Sequence, residues 1–397
     1  MRMQPEEFDV LIVGAGPAGT AAAYRAVDNN LNVLLLDKSK NPSGKPCAGG
    51  LTLKTLALMP YSVAPIIEHV TTGFDIGIAN GDAANIRRFD QGSDICAFVV
   101  RSRFDAYNFE KTRARGAQFQ AVTRIDGIEQ FANHIELKAD GKTIRAKYLV
   151  GADGANSQVR QMTMPENGFH RGFAIEGLIP FEALKSEPYA EFLLGFVQSG
   201  YGWIFPKADH ANIGIYTNRS DVSLSKKILQ NYAQARLGTR DLSHIKGYAL
   251  GFGGEEYWQT KGRVLLVGDA GGYAEPLLGE GLHNAIKSGQ AAGQAISDIE
   301  HGNTQATLNT HFRALSKPVR KDVKRCRDLA HQILYPRLNG FGGKALMNPM
   351  SRYVLLKGFA AGMTTRRITN RFMLAAMMRQ QRLSSLDDFH QQHSKLS

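Results

Sequence analysis

The apolar positions of this chain change period several times, and each change marks an element. Phe8-Asp9-Val10-Leu11-Ile12-Val13 is a short run rich in β-branched residues, which predicts a buried strand. It enters Gly14-Ala15-Gly16-Pro17-Ala18-Gly19, and an alanine-rich helical stretch, Thr20 to Val27, follows. A second apolar run, Asn32-Val33-Leu34-Leu35-Leu36, ends at Asp37. The order is strand, glycine turn, helix, strand, acid. Residues 38–51 read as a Gly/Pro loop whose end, Pro46 to Gly50, is too glycine-dense for a helix interior. Residues 71–100 predict short strands, Ala106 to Gly116 a helix, and residues 117–150 a β-meander with a hairpin turn at Ala139-Asp140-Gly141-Lys142. Residues 161–255 are again strand-like. Gly262 to Ala270 is a buried-strand pattern ending in Gly-Asp, and His283 to Glu300 a helix with small residues at Ala285, Ser288, Gly289, Ala292 and Ala295. Residues 305–397 are helical, basic and methionine-rich.

The first unit carries chemistry in its glycines. Gly14 permits a tight turn, Gly16 leaves room for a pyrophosphate to approach the backbone, and Gly19 lets the helix pack close to the strand. The helix N-terminus offers free N–H groups to phosphates. Asp37, about 20 residues on and followed by Lys38, can accept hydrogen bonds from a ribose. A second acid-bearing turn, Gly151-Ala152-Asp153-Gly154-Ala155-Asn156-Ser157, ends another strand, and Gly281 places a second helix N-terminus beside a ligand. Cys47 is either a reactive thiol or a small residue packed beside a cofactor, and sequence favours the inert reading. In Tyr201-Gly202-Trp203-Ile204-Phe205-Pro206, alternation puts Tyr201, Trp203 and Phe205 on one face. That face is either core or the wall of an apolar pocket, and aromatics are most often simply buried.

Composition narrows the classes. At 397 residues and 43% apolar, the chain can build two domains or one large elaborated one. No apolar run reaches the ~18 residues that span a bilayer, and the polar start has no signal-peptide stretch. Three scattered cysteines suit neither a disulfide framework nor a zinc site, so no metal and a cytoplasmic location are expected. The net charge of +12 belongs to the end of the chain: from Arg313 onward there are 17 Lys/Arg against four Asp. Such a segment suits anionic lipid, an acidic partner or a solvated helical face. Nucleic acid is disfavoured, because the charges alternate with Leu and Met rather than with stacking aromatics. Tyr353 to Met378, with Arg366, Arg367 and Arg371, suits a helix lying on a membrane surface or capping a lipid pocket.

Together the Gly14–Gly19 turn with Asp37, the Gly151–Ser157 turn and Gly268-Asp269-Ala270 resemble the motifs of hydroxybenzoate-hydroxylase-type FAD proteins over residues 8 to about 300. Two further features resemble the geranylgeranyl reductase family. One is the Pro46-Cys47-Ala48-Gly49-Gly50 loop. The other is the Tyr201–Pro206 strand followed by Gly214, with Tyr216 where the family pattern has a second glycine.

The resemblance implies an α/β fold with α+β elements. A Rossmann-type FAD-binding domain would comprise residues 1–70, 101–160 and 256–305. A β-sheet substrate domain of 71–100 and 161–255 would be inserted into it, and a basic C-terminal helical segment, 306–397, would follow. By position, Ala18, Asp37, Ala48, Gly50, Arg101, Val122, Asp269, Gly281 and Leu282 match the family's FAD contacts. Arg101 is preferred to Arg103 because it stands in the R-x-x-F/L-D pattern, and Asp153 is held back because it suits a ligand contact and a brace of the fold equally.

The implied activity is reduction of carbon–carbon double bonds in a polyprenyl, geranylgeranyl-type lipid by hydride from reduced flavin, with NAD(P)H or a reduced carrier as donor. Tyr201, Trp203 and Phe205 would then line the lipid slot, and Cys47 would relay a proton or gate the flavin. The basic segment would make a peripheral membrane contact. An aromatic or quinone monooxygenase of the same fold is the alternative. A non-catalytic flavoprotein that binds lipid through its basic tail is a third reading.

Overall fold

In the computed structural model, residues 7–40, 45–80, 83–164, 168–253 and 262–370 are described. The opening unit is β1 (Glu7–Val13), α1 (Pro17–Asp28) and β2 (Val33–Asp37). Pro17 starts α1 ahead of the alanine-rich stretch, because a missing N–H costs nothing in the first helical turn. Next come β3 (Gly50–Thr52), α2 (Leu53–Leu56), β4 (His69–Thr71), β5 (Gly73–Asn80), β6 (Ala83–Asp90) and β7 (Cys96–Phe98). Then follow α3 (Arg101–Ala114), β8 (Gln118–Ala121), β9 (Ile125–Gln130), β10 (Ile135–Ala139), β11 (Lys142–Gly151) and α4 (Gln158–Thr163). β12 (His170–Pro180), β13 (Glu191–Leu194), β14 (Gly200–Pro206), β15 (His210–Thr217), α5 (Lys226–Leu237) and β16 (Ser243–Phe252) come after them. After them come β17 (Val264–Leu266), α6 (Leu282–Glu300), α7 (Leu308–Asp328), α8 (Phe341–Met347) and α9 (Pro349–Ala360).

The first sheet runs β8-β2-β1-β11-β10-β9, with β17 also paired to β11. β1, β2, β8, β11 and β17 are mutually parallel, so their carboxyl ends open on one side. One face is covered by α1, α6 and α7 over a shared core that includes Val10, Ile12, Leu35, Ile296 and Phe312. The small residues of α6 let it close on α1: a Cβ added at Gly289 would fall 2.2 Å from the Ala18 carbonyl oxygen.

Three expected elements differ. The 117–150 meander is only β9 to β11, because β8 pairs parallel with β2. A strand that returns through a helix packs beside its predecessor, and Phe119 anchors it on Phe109 of α3 with ring centres 4.8 Å apart. α3 begins at Arg101 rather than Ala106, because the Arg101–Asp105 pair closes its first turn. Tyr353 to Met378 is not one helix. α9 ends at Ala360, Gly362 adopts φ +62°, and the Met363 N–H closes on the Gly358 carbonyl as a left-handed helix stop. Arg371 to Met378 lie outside the described residues.

The second sheet runs β16-β12-β15-β14-β13-β5-β6 and is antiparallel except where β13 meets β5. One face packs on α5 through Ile179, Ile204, Ile213, Ile215 and Tyr232. The other, aromatic face looks toward the first sheet. A third, small sheet, β3-β7-β4, holds the end of the Pro46–Gly50 loop between the two. α7 belongs to the first sheet's core through Leu308, Phe312, Val319 and Val323, so the basic segment begins as an integral part of the fold. No helix of the described residues is long and apolar enough to cross a membrane.

A Cβ added at Gly19 would sit 1.8 Å from the Gly14 carbonyl oxygen, whereas one at Gly127 meets nothing within 4 Å. Gly19→Ala is expected to lose about 1–3 kcal/mol of unfolding free energy in urea, and Gly127→Ala to stay within about 0.5 kcal/mol of the parent.

Candidate active site

A cavity of about 1010 Å³ lies between the carboxyl ends of the first sheet and the aromatic face of the second. At its first end, Gly14 adopts φ +103° and donates its N–H to the Leu36 carbonyl at 2.7 Å. A Cβ there would fall 2.4 Å from the Ala152 carbonyl oxygen, so only glycine fits both the angle and the space. Gly16 caps α1 without a side-chain hydrogen bond, and a Cβ on it would meet nothing within 4 Å. Open space thus faces the helix N-terminus, the arrangement that suits a phosphate. Asp37 accepts the N–H of Ala15 at 2.8 Å through Oδ2 and that of Ser39 at 2.9 Å through Oδ1. It pins the turn while lining the cavity beside Lys38, with Val122 at the same end.

Further along, Asp269 lines the cavity from the turn after β17 and is ion-paired to Lys45, whose Nζ lies 4.4 Å from the Tyr248 ring centre. Gly281 and Leu282 bring the start of α6 to the same wall. Arg101 and Asp105, both buried, form a two-pronged pair at 3.0 and 2.8 Å. Asp153 accepts from Ser157 Oγ and from the N–H groups of Gln158 and Val159, so it braces the start of α4 while also lining the cavity. Of the dinucleotide-turn residues, Gly14, Gly16 and Ala18 line the cavity. Gly19 does not; it serves helix packing.

The aromatic wall follows from register. Tyr201, Trp203 and Phe205 share one face of β14 and line the cavity, whereas Ile204 packs on the opposite face. One cross-strand row reads Ile76, Phe192, Trp203, Gly214, Glu176, Lys246, from β5 to β16. The next reads Leu194, Tyr201, Tyr216, Ala174, Tyr248. Gly214 is small because Trp203 lies across it: a Cβ there would fall 2.0 Å from the Trp203 ring. Tyr216, where the expected pattern has glycine, is fully buried, lies 5.2 Å from Tyr201 between ring centres, and donates its hydroxyl to the Pro276 carbonyl at 3.1 Å. The far end is lined by Leu334, Leu346, Leu355 and Ile368. The described part of the basic segment therefore caps the cavity.

Ala48, Gly50 and Cys47 meet this wall from the loop. The Cys47 N–H donates to Glu176 Oε1 at 3.0 Å, and Cys47 Sγ accepts from the Gly49 N–H at 3.4 Å. Behind the loop, Lys207 is buried; its Nζ donates to the Ala48 carbonyl at 2.7 Å and lies 4.9 Å from the Phe98 ring centre. Burial pushes its ammonium down to about 8, against the pull of Cys47, Cys96, Glu176 and Glu68. Sequence reasoning missed Glu176, Lys207, Lys45 and Tyr248. Glu176 leaves a local trace, a lone acid in the apolar run Phe173-Ala174-Ile175-Glu176-Gly177.

Residues 7–173 match the family described as FAD binding domain. An uncharacterized protein of Methanosarcina barkeri is 32% identical over 331 residues, covering 83% of this chain and 83% of that protein. A digeranylgeranylglycerophospholipid reductase of Methanosarcina acetivorans is 28% identical over 305 residues, 72% of this chain and 74% of the relative. Among solved structures, a geranylgeranyl bacteriochlorophyll reductase-like protein from Thermoplasma acidophilum superposes with TM-score 0.67 at 20% identity, over 89% of this chain and 99% of that one, and shows the fold. The protein is therefore an FAD-dependent oxidoreductase. The site fits FAD: open space at the α1 N-terminus matches a pyrophosphate, Asp37 matches a ribose, and the glycine-dense loop leaves room for a flat ring.

The depressed Lys207 sets a pH dependence. The unfolded chain binds that proton up to the ordinary lysine pKa, about 10.5, and the folded chain only up to about 8. Stability is therefore gained as pH rises from about 8 toward 10.5. Urea unfolding at several pH values is expected to show wild type gaining about 1–3 kcal/mol relative to Lys207→Met across that window, with no relative change below it.

Proposed function

The chain belongs to the geranylgeranyl reductase family of FAD-dependent oxidoreductases, and we propose that it reduces carbon–carbon double bonds of a polyprenyl, geranylgeranyl-type lipid. The observation that carries the reading is one cavity that joins a dinucleotide turn to an aromatic wall and a leucine-lined far end. A chain of isoprene units is long, apolar and flat at each double bond, and such a wall excludes water from it.

Bound FAD supplies a hydride in its reduced form. Gly14, Gly16 and Ala18 hold its pyrophosphate, and Gly19 holds the helix against the turn. Asp37, Lys38 and Val122 take the adenosine end. Arg101, Asp269, Gly281 and Leu282 flank the chain between the pyrophosphate and the ring, and Ala48 and Gly50 make room for the ring itself. Tyr201, Trp203 and Phe205 orient the lipid; the Tyr201 hydroxyl is tied to the Leu278 carbonyl, so its ring is fixed. Cys47 stands at the junction of ring and slot as a relay or gate. Each reduced double bond consumes two electrons, which NAD(P)H or a reduced carrier must return. Peripheral membrane contact fits the α9 end, where Met350 and Tyr353 are exposed beside Lys357 and Leu355 reaches the cavity.

Two measurements test this. Gly16→Val, which puts a side chain into open space, is expected to fold normally and to weaken FAD binding by at least about 100-fold by flavin fluorescence, about 2.7 kcal/mol. Anaerobic mixing of the reduced flavoprotein with a polyprenyl lipid is expected to yield products heavier by pairs of hydrogen atoms. A product that forms only in air and gains oxygen would establish the monooxygenase reading instead.

A further inference from the structure

A simple alkene accepts hydride poorly unless its other carbon is protonated, so a reductase of this kind needs an acid at the slot. Among the described residues, seven carboxyl groups line the cavity. Six are committed elsewhere. Asp37 holds the dinucleotide turn and Asp153 the start of α4. Asp105 is paired with Arg101, Asp269 with Lys45 and Glu280 with Lys54. Glu275 closes its own loop by accepting the N–H groups of Leu277, Leu278 and Glu280 at 2.7, 2.8 and 3.0 Å.

The seventh is Glu176, which makes no ion pair within 4.0 Å among the described residues. It is held by the Cys47 N–H at 3.0 Å and by the Asn212 side chain. Trp203 Nε1 donates to Asn212 Oδ1 at 2.8 Å, which turns the amide NH2 of Asn212 toward the carboxyl. In the cross-strand row its neighbours are Lys246 and Gly214, and across the side-chain-free Gly214 lies the Trp203 ring. The carboxyl thus stands at the edge of the aromatic wall, against the Cys47 loop, where the slot meets the glycine-dense end.

Resting on the reading above, we propose that Glu176 is the acid that protonates the double bond. The π bond breaks, one carbon takes the hydride that reduced FAD supplies, and the other takes the proton from the Glu176 carboxyl. Two C–H bonds form, the flavin is left oxidised and Glu176 is left as carboxylate, to be reprotonated from solvent. The charged and titratable groups around it are Lys207 behind the loop, Arg101 on the cavity wall, Lys246 across the strand pair, and the Cys47 thiol. Burial pushes the Glu176 carboxyl up, against Asn212, the Cys47 N–H and the Lys207 and Arg101 charges, which favours a held proton at rest. The same cations stabilise the carboxylate once the proton has left.

Glu176→Gln keeps an acceptor for the Cys47 N–H and removes the acid. Its FAD affinity and melting temperature are expected to match wild type. Anaerobic oxidation of its reduced flavin by the lipid is expected to slow by about 10²–10⁴-fold, with Glu176→Asp partly restored. Ferricyanide, which takes electrons without a proton, should oxidise both flavins alike. Independently of turnover, the wild-type minus Glu176→Gln infrared difference spectrum should show a buried carboxyl carbonyl band that titrates with pH, over the bands that other buried acids such as Glu275 leave in both proteins. Lipid-driven flavin oxidation at the wild-type rate in Glu176→Gln, or no carboxyl carbonyl band in the difference spectrum, overturns the assignment while leaving the reductase reading intact. A wild-type protein that reduces no lipid overturns both.

Discussion

The cavity depends on how closely the backbone of the Gly14 turn approaches that of Ala152. Parallel pairing of β1 with β11 and of β11 with β17 brings three turns to one edge, around Gly14, Asp153 and Asp269. At that edge the contact leaves no room for a side chain: a Cβ on Gly14 would meet the Ala152 carbonyl, and one on Gly268 would lie 2.8 Å from the Ala18 methyl. Replacing these contacts with side chains would pry the strand ends apart and take the α1 N-terminus off its aim. A crevice outside the carboxyl ends of a parallel sheet is where such folds hold nucleotides, and the close approach is what narrows it.

Charge is the second constraint. Buried ions gather in and behind the cavity wall, and a buried ion is tolerated only with a partner. Arg101 with Asp105 and Lys54 with Glu280 meet that condition by direct pairing. Breaking such a pair leaves an uncompensated charge, at a cost of about 3–5 kcal/mol. Lys207 meets it differently, with a carbonyl and an aromatic face, and burial lowers its proton affinity accordingly. The loop from Pro46 to Gly50 lies over this cation. Its glycines are therefore bounded by charge on one side and by the aromatic wall on the other.

The wall has its own logic. A small residue sits opposite a large one so that a ring can lie across the neighbouring strand, Trp203 over Gly214. Tyr216 breaks that pattern by filling its place with a ring tied to the 275–279 loop. The shape of the slot beside Tyr201 is set by this residue. The helices after Leu308 finish the enclosure, first as core and then as a cap.

Local chemistry carried much of this into the sequence. The Gly14–Gly19 turn, the hairpin at Asp140-Gly141 and the one-sided aromatic strand all depend on residues within a few positions of each other, and Asp37 stands at the fixed spacing of one strand–helix–strand unit. Their effects on φ and on side-chain direction act before any tertiary contact. The resemblance of those motifs to a known family then named the cofactor. Other features were invisible for an equally physical reason. The start of α3 at Arg101 and the stop of α9 near Gly362 depend on single contacts that outweigh weak helix propensity. The pairing of β8 with β2 depends on where α3 returns the chain. Glu176 meets Cys47 across 129 positions of sequence. No periodicity reports such a contact, since strand register and the packing of one sheet against another decide it. The sequence by itself determined that a dinucleotide turn and an aromatic face exist; only the tertiary structure decided that they open on one cavity, because strand register and the packing of the two sheets set which residues line it.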